Sequence, residues 1–350
     1  MRHAEKQQPD DRTQRPRGWN RREPIEEYEA LCRGRIADLV QVHEPLVLIS
    51  QVQRSGGTLL SQLFDGHPEC HAHPWDLEIG HPRNWHWPPI DLSAPSSWFD
   101  LLYEGKVDLH LRKGYSKQAL DRDPDVFAFG FLPRLQKAIF DHCITSRRIG
   151  SRRDVLDCYF TSYFNAWLDN HNLYTSPKKV ITGLGPMLSM EAGNVEQFFE
   201  AYPDGTLVSI VREPRAWFAS AQPHSKRFAD LEEALGLWCR SAEAMIEAGD
   251  RYGDRVVILT YETLVQETEA TMRRLAARLG IAMHPALLVP TFNLRAIRAN
   301  STQRIDRYGI LTDRTTAYKG LLDPVTIERV ERLAGDLYDR VAERALSGAG

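Results

Sequence analysis

The spacing of apolar positions along this chain changes period several times, and each change marks an element. Leu46 to Ile49 is a short run of Leu, Val and Ile without a polar break, the pattern of a strand covered on both faces of a parallel sheet. Gln51 to Gly57 is polar and flexible, and from Thr58 the pattern becomes helical, with Leu59, Leu60, Leu63 and Phe64 on one side and Gly66 as a stop. Val180-Ile181, Thr206 to Val211 and Val256 to Leu259 read as further buried strands. Helical spacing recurs in Ile25, Tyr28, Leu31, Ile36, Leu39 and Val40, which suggest a packed helix before the first strand. It recurs again in Tyr159, Tyr163, Phe164, Trp167 and Leu168, in Val195, Phe198, Phe199 and Tyr202, and in Leu231, Leu235, Trp238, Ala242 and Met245. The last two stripes are Met272, Leu275, Ala276 and Leu279, closed by Gly280, and a terminal amphipathic helix over 324–346. Asn194 with Gln197, and Asp230 with Glu233, have the spacing of capping boxes. This alternation predicts an α/β fold, a three-layer αβα arrangement with a mainly parallel central sheet and strands near 46–50, 179–182, 206–211 and 255–260.

The remaining segments carry weaker signals. Residues 1–23 are charged and poor in apolar side chains, which predicts a mobile tail ahead of a single domain over 24–350. ECHAHPWDLEIGHPRNWHWPP, from Glu69, reads as a loop because of its prolines, and its neighbourhood supplies Trp75, Trp85, Trp87, Trp98 and Phe99 as candidates to line an acceptor pocket or simply to pack the loop. Residues from about 70 to 175 read as a substrate-side insertion, with a possible strand over 126–132. Arg295, Arg298, Arg304 and Arg307 fit either a lid over a ligand or a basic surface stripe.

The strand, small-residue loop and helix at 46–63 form an anion trap. A helix start leaves N–H groups without intrahelical partners and carries partial positive charge. Gly56 and Gly57 let the backbone curl around an anion, while Arg54, Ser55 and Thr58 add donors. No Lys follows the glycines, so the Walker pattern is absent. At the end of the strand over 206–211, Arg212 is followed eight positions later by Ser220, with Pro214 in the turn between them. An Arg at a strand end can fork onto a phosphate, and a Ser on the next helix can add a hydroxyl.

Arg54-Ser55-Gly56-Gly57-Thr58-Leu59-Leu60, with Asp65-Gly66-His67-Pro68 after it, resembles the 5′-phosphosulfate loop of the PAPS-dependent sulfotransferases of the bacterial, P-loop-like type. Gly57 stands where that family commonly has Thr, which removes a side-chain donor and puts more weight on backbone contacts. Arg212 and Ser220 resemble the family's 3′-phosphate element, and Tyr261-Glu262 with the following Leu-Gly helix is similar to the segment whose Tyr sits near the adenine. The resemblance runs in pieces from about 46 to about 280. It implies an enzyme that moves a sulfuryl group from PAPS to a hydroxyl, or less readily an amine, of a small-molecule, glycan or lipid acceptor, with no metal. It implies that Arg54, Ser55, Gly56, Gly57, Thr58, Leu59, Arg212, Ser220 and Tyr261 bind the cofactor and that Arg54 also stabilises the leaving oxygen. By position after His67-Pro68, the general base falls on Asp76, with Glu78 and His73 as neighbours able to hold the role. Two other readings stand beside this one: a P-loop kinase-like nucleotide enzyme, and a non-catalytic PAPS- or nucleotide-binding module.

Composition narrows the partners. With 42% hydrophobic and 26% charged residues and a net charge of −3 over 350 residues, the chain offers no global attraction for nucleic acid or membranes, so phosphate recognition must be local. No apolar run is long enough to span a bilayer, and the N-terminus has no secretory apolar core, which predicts a cytoplasmic location. Five scattered cysteines fit reduced thiols. The pairs His71/His73 and His81/His86 lack third and fourth ligands at metal-site spacing.

Overall fold

The computed structural model describes residues 23–79, 86–114, 129–299 and 307–346. The expectations for 1–22, His81, Trp85, 126–128 and Arg304 lie outside the described residues. The chain divides into two compact units, 1–39 and 40–350. In the first, helix α1 (Glu23–Ala37) forms close to where its spacing predicts, but none of its described side chains is buried, and Ile25 is 59% exposed.

The second unit is built on five parallel strands, β1 (Leu46–Ile49), β2 (Cys70–Asp76), β3 (Val180–Leu184), β4 (Thr206–Val211) and β5 (Val256–Thr260), in the order β2-β3-β1-β4-β5. The helices are α2 (Gly57–Leu63), α3 (Trp98–Leu102), α4 (Gly105–Lys113), α5 (Pro133–Ser146), α6 (Arg152–Ala166), α7 (Ala192–Ala201), α8 (Pro214–Ala221), α9 (Leu231–Tyr252), α10 (Tyr261–Gln266), α11 (Thr268–Arg278) and α12 (Pro324–Ala342). Because successive strand residues face opposite sides, one strand serves two cores. Along β5, Val257 and Leu259 pack with Leu60, Leu63 and Phe64 at α2 and with Met272 and Leu275 of α11. Ile258 turns the other way, into Trp217 and Phe218 of α8, Leu235 and Trp238 of α9, and Val330 and Val341 of α12. The result is helix, sheet, helix.

β1 lies between β3 and β4, paired from Leu46↔Ile181 on one side and Val47↔Thr206 on the other. After β1 the chain moves outward to β2, returns to β3, then crosses to β4 on the far side. The winding therefore changes direction at β1, and the crevice beyond its carboxyl end is where open α/β sheets hold ligands.

Three expectations need correction. Cys70–Asp76 is the edge strand β2 rather than a loop. Pro74 is tolerated because the register slips between Ala72 and Asp76, where no ladder donor is required. Residues 70–76, expected to open the insertion, belong to the central sheet. Asn194 caps no helix: α7 starts at Ala192, and the buried Asn194 amide instead accepts from Trp87 N at 2.9 Å and donates to Leu188 O at 3.0 Å. Of the strand expected over 126–132, the described part holds one isolated bridge, Phe131 to Trp167. The Asp230 cap does form, its carboxylate accepting from Glu233 N at 2.9 Å.

Leu60 is fully buried in the first core one turn after Gly57. Leu60→Ala should cost about 2–5 kcal/mol of stability, read as a lower urea midpoint with an unchanged slope.

Candidate active site

The loop after β1 is clamped from behind. Met187 N donates to Gln51 O at 2.9 Å, and Ser241 Oγ accepts from Val52 N at 2.9 Å. Trp217 Nε1 donates to Gln53 O at 2.8 Å and Arg212 Nη1 to Arg54 O at 3.3 Å. Residues of β3, β4, α8 and α9 and the turns beside them thus fix the loop's outer side. Arg54 sits in the left-handed region at φ 72°, and Gly56 follows at φ 111° as the N-cap of α2, with no side chain capping the helix. A Cβ on Gly56 would lie 2.6 Å from Tyr261 Cδ2, so only glycine lets that ring lie against the loop.

The loop opens into a cavity of about 380 Å³. It brings together Arg54, Gly56, Gly57, Thr58, Leu59, Arg212, Ser220, Tyr261 and Asp76, drawn from the ends of β1, β2, β4 and β5 and from α2 and α8. Ser55 is the exception among the loop residues, as it is buried outside the lining and its Oγ has no protein partner. Sequence reasoning missed several lining residues, including Gln51, Lys106, His110, His224, Arg314 and Tyr318. Gln51 adjoins the phosphate-loop motif without being part of its pattern, and the others lie far apart along the chain in segments without a recognisable motif. Of the four downstream arginines named above, Arg298 lines the cavity, Arg295 is exposed, and Arg307 pairs with Asp313 at 2.7 Å.

The charge balance of the lining is lopsided. Arg54, Lys106, Arg212, Arg298 and Arg314 stand against one carboxylate, Asp76. Arg212 is buried, its Nη2 donates to Arg314 O at 2.9 Å, and its guanidinium lies 4.3 Å from the centre of the Tyr261 ring. Lost solvation pushes it below the usual Arg range. Lost solvation and then the Arg212 charge push Arg54 down to about 10. Among the described residues neither guanidinium has a carboxylate at ion-pair distance, and the Nε of each has no hydrogen-bond partner. Glu262 and Glu213 act on Arg212 only from beyond ion-pair distance, and two adjacent cations so weakly balanced favour an anion.

The far side of the cavity is aromatic and acidic. Trp75 stacks on His110 with ring centres 3.9 Å apart. Among the described residues it is the one expected pocket aromatic that lines the cavity: Trp87 packs on Phe198, Phe99 on Phe140, and Trp98 donates to Asp91 O. Lys106 Nζ bridges Asp76 at 2.9 Å and Glu78 at 2.7 Å. Burial would lower the Lys106 pKa, but these two carboxylates outweigh it and raise the value. Of the three residues considered for the base, only Asp76 lines the cavity. His73 is fully buried, with Nε2 at 3.0 Å from Glu104 Oε1 and Nδ1 at 3.0 Å from Trp75 O. His224, exposed at the cavity, is pushed down by burial and then by Arg54, and up by Asp76. Among the described residues no group of His, Cys, Asp and Glu could hold a metal ion, and no helix is long and apolar enough to cross a membrane.

Glu104 holds the layer behind this wall. Its carboxylate accepts from Tyr159 Oη at 2.7 Å and Glu78 N at 3.0 Å as well as meeting His73. Burial pushes it up, but the His73 ring and these donors outweigh burial and hold it below the usual Glu range. A native value below the unfolded one contributes stability above the unfolded pKa of about 4.3, and the contribution disappears as pH falls through the native value. Glu104→Gln should therefore destabilise the protein by about 3 kcal/mol at neutral pH. Urea midpoints should show the gap to wild type narrowing below about pH 4; a gap as wide in acid as at neutrality would contradict this account.

Comparison with known proteins agrees with the motif reading. The chain is similar to the sulfotransferase domain of the curacin biosynthetic pathway, with 14% identity over 84% of this chain and 98% of that one and a TM-score of 0.48. It is similar to the sulfotransferase domain of the Synechococcus olefin synthase, with 16% identity over 84% and 96% and a TM-score of 0.44. A sulfotransferase from Alicyclobacillus acidocaldarius gives 14% identity over 87% and 98%, with a TM-score of 0.45. No curated protein matches significantly. The profile of the sulfotransferase family matches residues 45–285, from the residue before β1 to the end of the β5–α11 unit, and the chain belongs to that family.

Proposed function

We propose that this sulfotransferase uses PAPS as donor and transfers the sulfuryl group to a hydroxyl, or less readily an amine, of a small-molecule, glycan or lipid acceptor. The observation that carries the reading is the cationic lining, with Arg54 and Arg212 side by side and without carboxylate partners at the switch point of the sheet. A kinase-like alternative is disfavoured because no Lys follows Gly56-Gly57.

In this reading Arg54 and the N–H groups at the start of α2 hold the 5′-phosphate, while Arg212 and Ser220 hold the 3′-phosphate. Tyr261, already packed against Gly56 and Arg212, borders the adenine. Bound PAPS supplies an activated sulfur, so that an acceptor oxygen bonds to sulfur as the bond to the 5′-phosphate oxygen breaks. Arg54 stabilises the negative charge left on that oxygen. Asp76 takes the acceptor proton, and Lys106, held between Asp76 and Glu78, orients its carboxylate. His224 is a second reading for the base, favoured by its place in the same lining and by the burial and Arg54 charge that keep its imidazole neutral.

Calorimetry separates a reader of the 3′-phosphate from a general nucleotide binder. PAP, the desulfonated product, should bind well and ATP weakly. Arg212→Ala should weaken PAP binding by about 2 kcal/mol or more. Equal affinity for PAP and ATP in the wild type would refute the assignment.

Radiolabel transfer from PAPS to an acceptor library tests turnover. With an acceptor in hand, Asp76→Asn should lower kcat by roughly 10²-fold with PAP binding nearly intact. Normal turnover in Asp76→Asn together with a dead His224→Ala variant that still binds PAP would move the base to His224.

A further inference from the structure

We infer that the Gln51 side chain supplies the donor that Gly57 lacks, and so is a cofactor-positioning residue of this chain. The inference rests on reading the cavity as the PAPS site.

Gln51 follows directly on the β1–Ser50 segment and is 2% exposed, yet it lines the cavity beside Arg54, Gly56, Gly57 and Thr58. Its backbone is fixed by the bond from Met187 N to its carbonyl, so the side chain has a defined origin. A Cβ on residue 57 would lie 2.1 Å from Gln51 Nε2 and 3.0 Å from Gln51 Cδ. The amide therefore occupies the space that a larger residue at 57 would fill. Leu184 Cδ1, 2.9 Å from the same point, closes the other side and leaves room for one of the two side chains.

The two options are chemically alike. A hydroxyl at 57 would offer one donor and an acceptor at the first turn of α2, and the Gln51 amide offers N–H donors and an acceptor oxygen at the same place. The Gln51 Oε1 has no partner within the protein although it is buried. That oxygen is an acceptor and does not help to hold an anion; the donor role rests on Nε2, which lies beside Gly57 in the lining. Gly57 and Gln51 are thus a matched pair, in which the absence of a side chain at 57 is the condition for the amide at 51.

A double-mutant cycle read by calorimetry with PAP and PAPS tests this on the full chain, with thermal melts to confirm folding. Gln51→Ala should weaken binding about tenfold, the scale of one lost hydrogen bond to a charged group. Gly57→Thr alone should also weaken binding, because its side chain collides with the amide. In Gln51→Ala/Gly57→Thr the hydroxyl enters the vacated space, and affinity should recover to within a few-fold of wild type. Equal losses for PAP and PAPS would place the amide on the phosphate, and a loss confined to PAPS would place it on the sulfuryl oxygens; both support the inference. Should Gly57→Thr not fold, Gln51→Glu takes its place: an isosteric carboxylate should bind more weakly than Gln51→Ala. A wild type that binds PAP while Gln51→Ala and Gln51→Glu match it, or a double variant no tighter than the worse single, overturns the Gln51 assignment alone. A wild type that binds neither PAP nor PAPS overturns the cofactor reading and this inference with it.

Discussion

Much of the structure around the cavity exists to hold two guanidinium groups near each other, Arg212 buried and Arg54 half-buried at the lining. Lost solvation lowers the affinity of both guanidiniums for protons, and the Arg212 charge lowers that of Arg54 further. Nothing intrinsic to the two side chains favours this arrangement, so it must be imposed by their surroundings. Arg54 is fixed through its backbone at positive φ, and Arg212 through the bond from Trp238 Nε1 to its carbonyl at 3.0 Å and its own bonds to Arg54 O and Arg314 O. Trp217 and Trp238 are among the largest fully buried side chains of the second core, and each also donates to backbone at the site. Packing and positioning are here the same contacts.

The sheet explains why the site falls where it does. With β1 at the change of winding direction, the connections on its two sides leave in opposite directions and open a crevice at its carboxyl end. The first core anchors α2 from below, while the second anchors α8 and α9 from the opposite face. The loop between β1 and α2 is thus gripped from both layers. That grip allows a non-glycine residue to persist at φ 72° and keeps the start of a seven-residue helix uncapped by side chains.

The half of the cavity proposed to take the cofactor carries a pattern visible in sequence, because an anion imposes requirements on short, contiguous runs. Two glycines, an Arg and hydroxyls must sit between a buried strand and a helix, and Arg212 must end a strand eight positions before Ser220. Those patterns survive in sequence, and all of these residues but Ser55 line one cavity. Elements whose roles depend on tertiary context were not legible. Pro74 argued against a strand, but an edge position with a register shift removed the objection. Asn194 had the spacing of a cap and was instead drawn inward by Trp87 N and Leu188 O. Arg314 sits among ordinary polar residues, and only the fold carries it to the arginine cluster.

The wall proposed to face the acceptor was obscure for a further physical reason. Its wall combines Trp75 and Asp76 from β2, Lys106 and His110 from α4, His224 after α8 and Ile297 to Ala299, four segments with no fixed spacing between them. No single ligand charge dictates these residue types, so none of the segments needs a motif. Local order comes instead from layers behind the wall: Glu104 ties His73, Tyr159 and the Glu78 backbone, and Lys106 ties Glu78 to Asp76. Since Glu104 and Lys106 flank α4 at its start, one helix joins the buried carboxylate layer to the cavity-facing carboxylate. A change in the position of α4 would move Lys106 and His110 against Asp76, which β2 holds, and against the arginine cluster, without disturbing the contacts that hold Arg54 and Arg212.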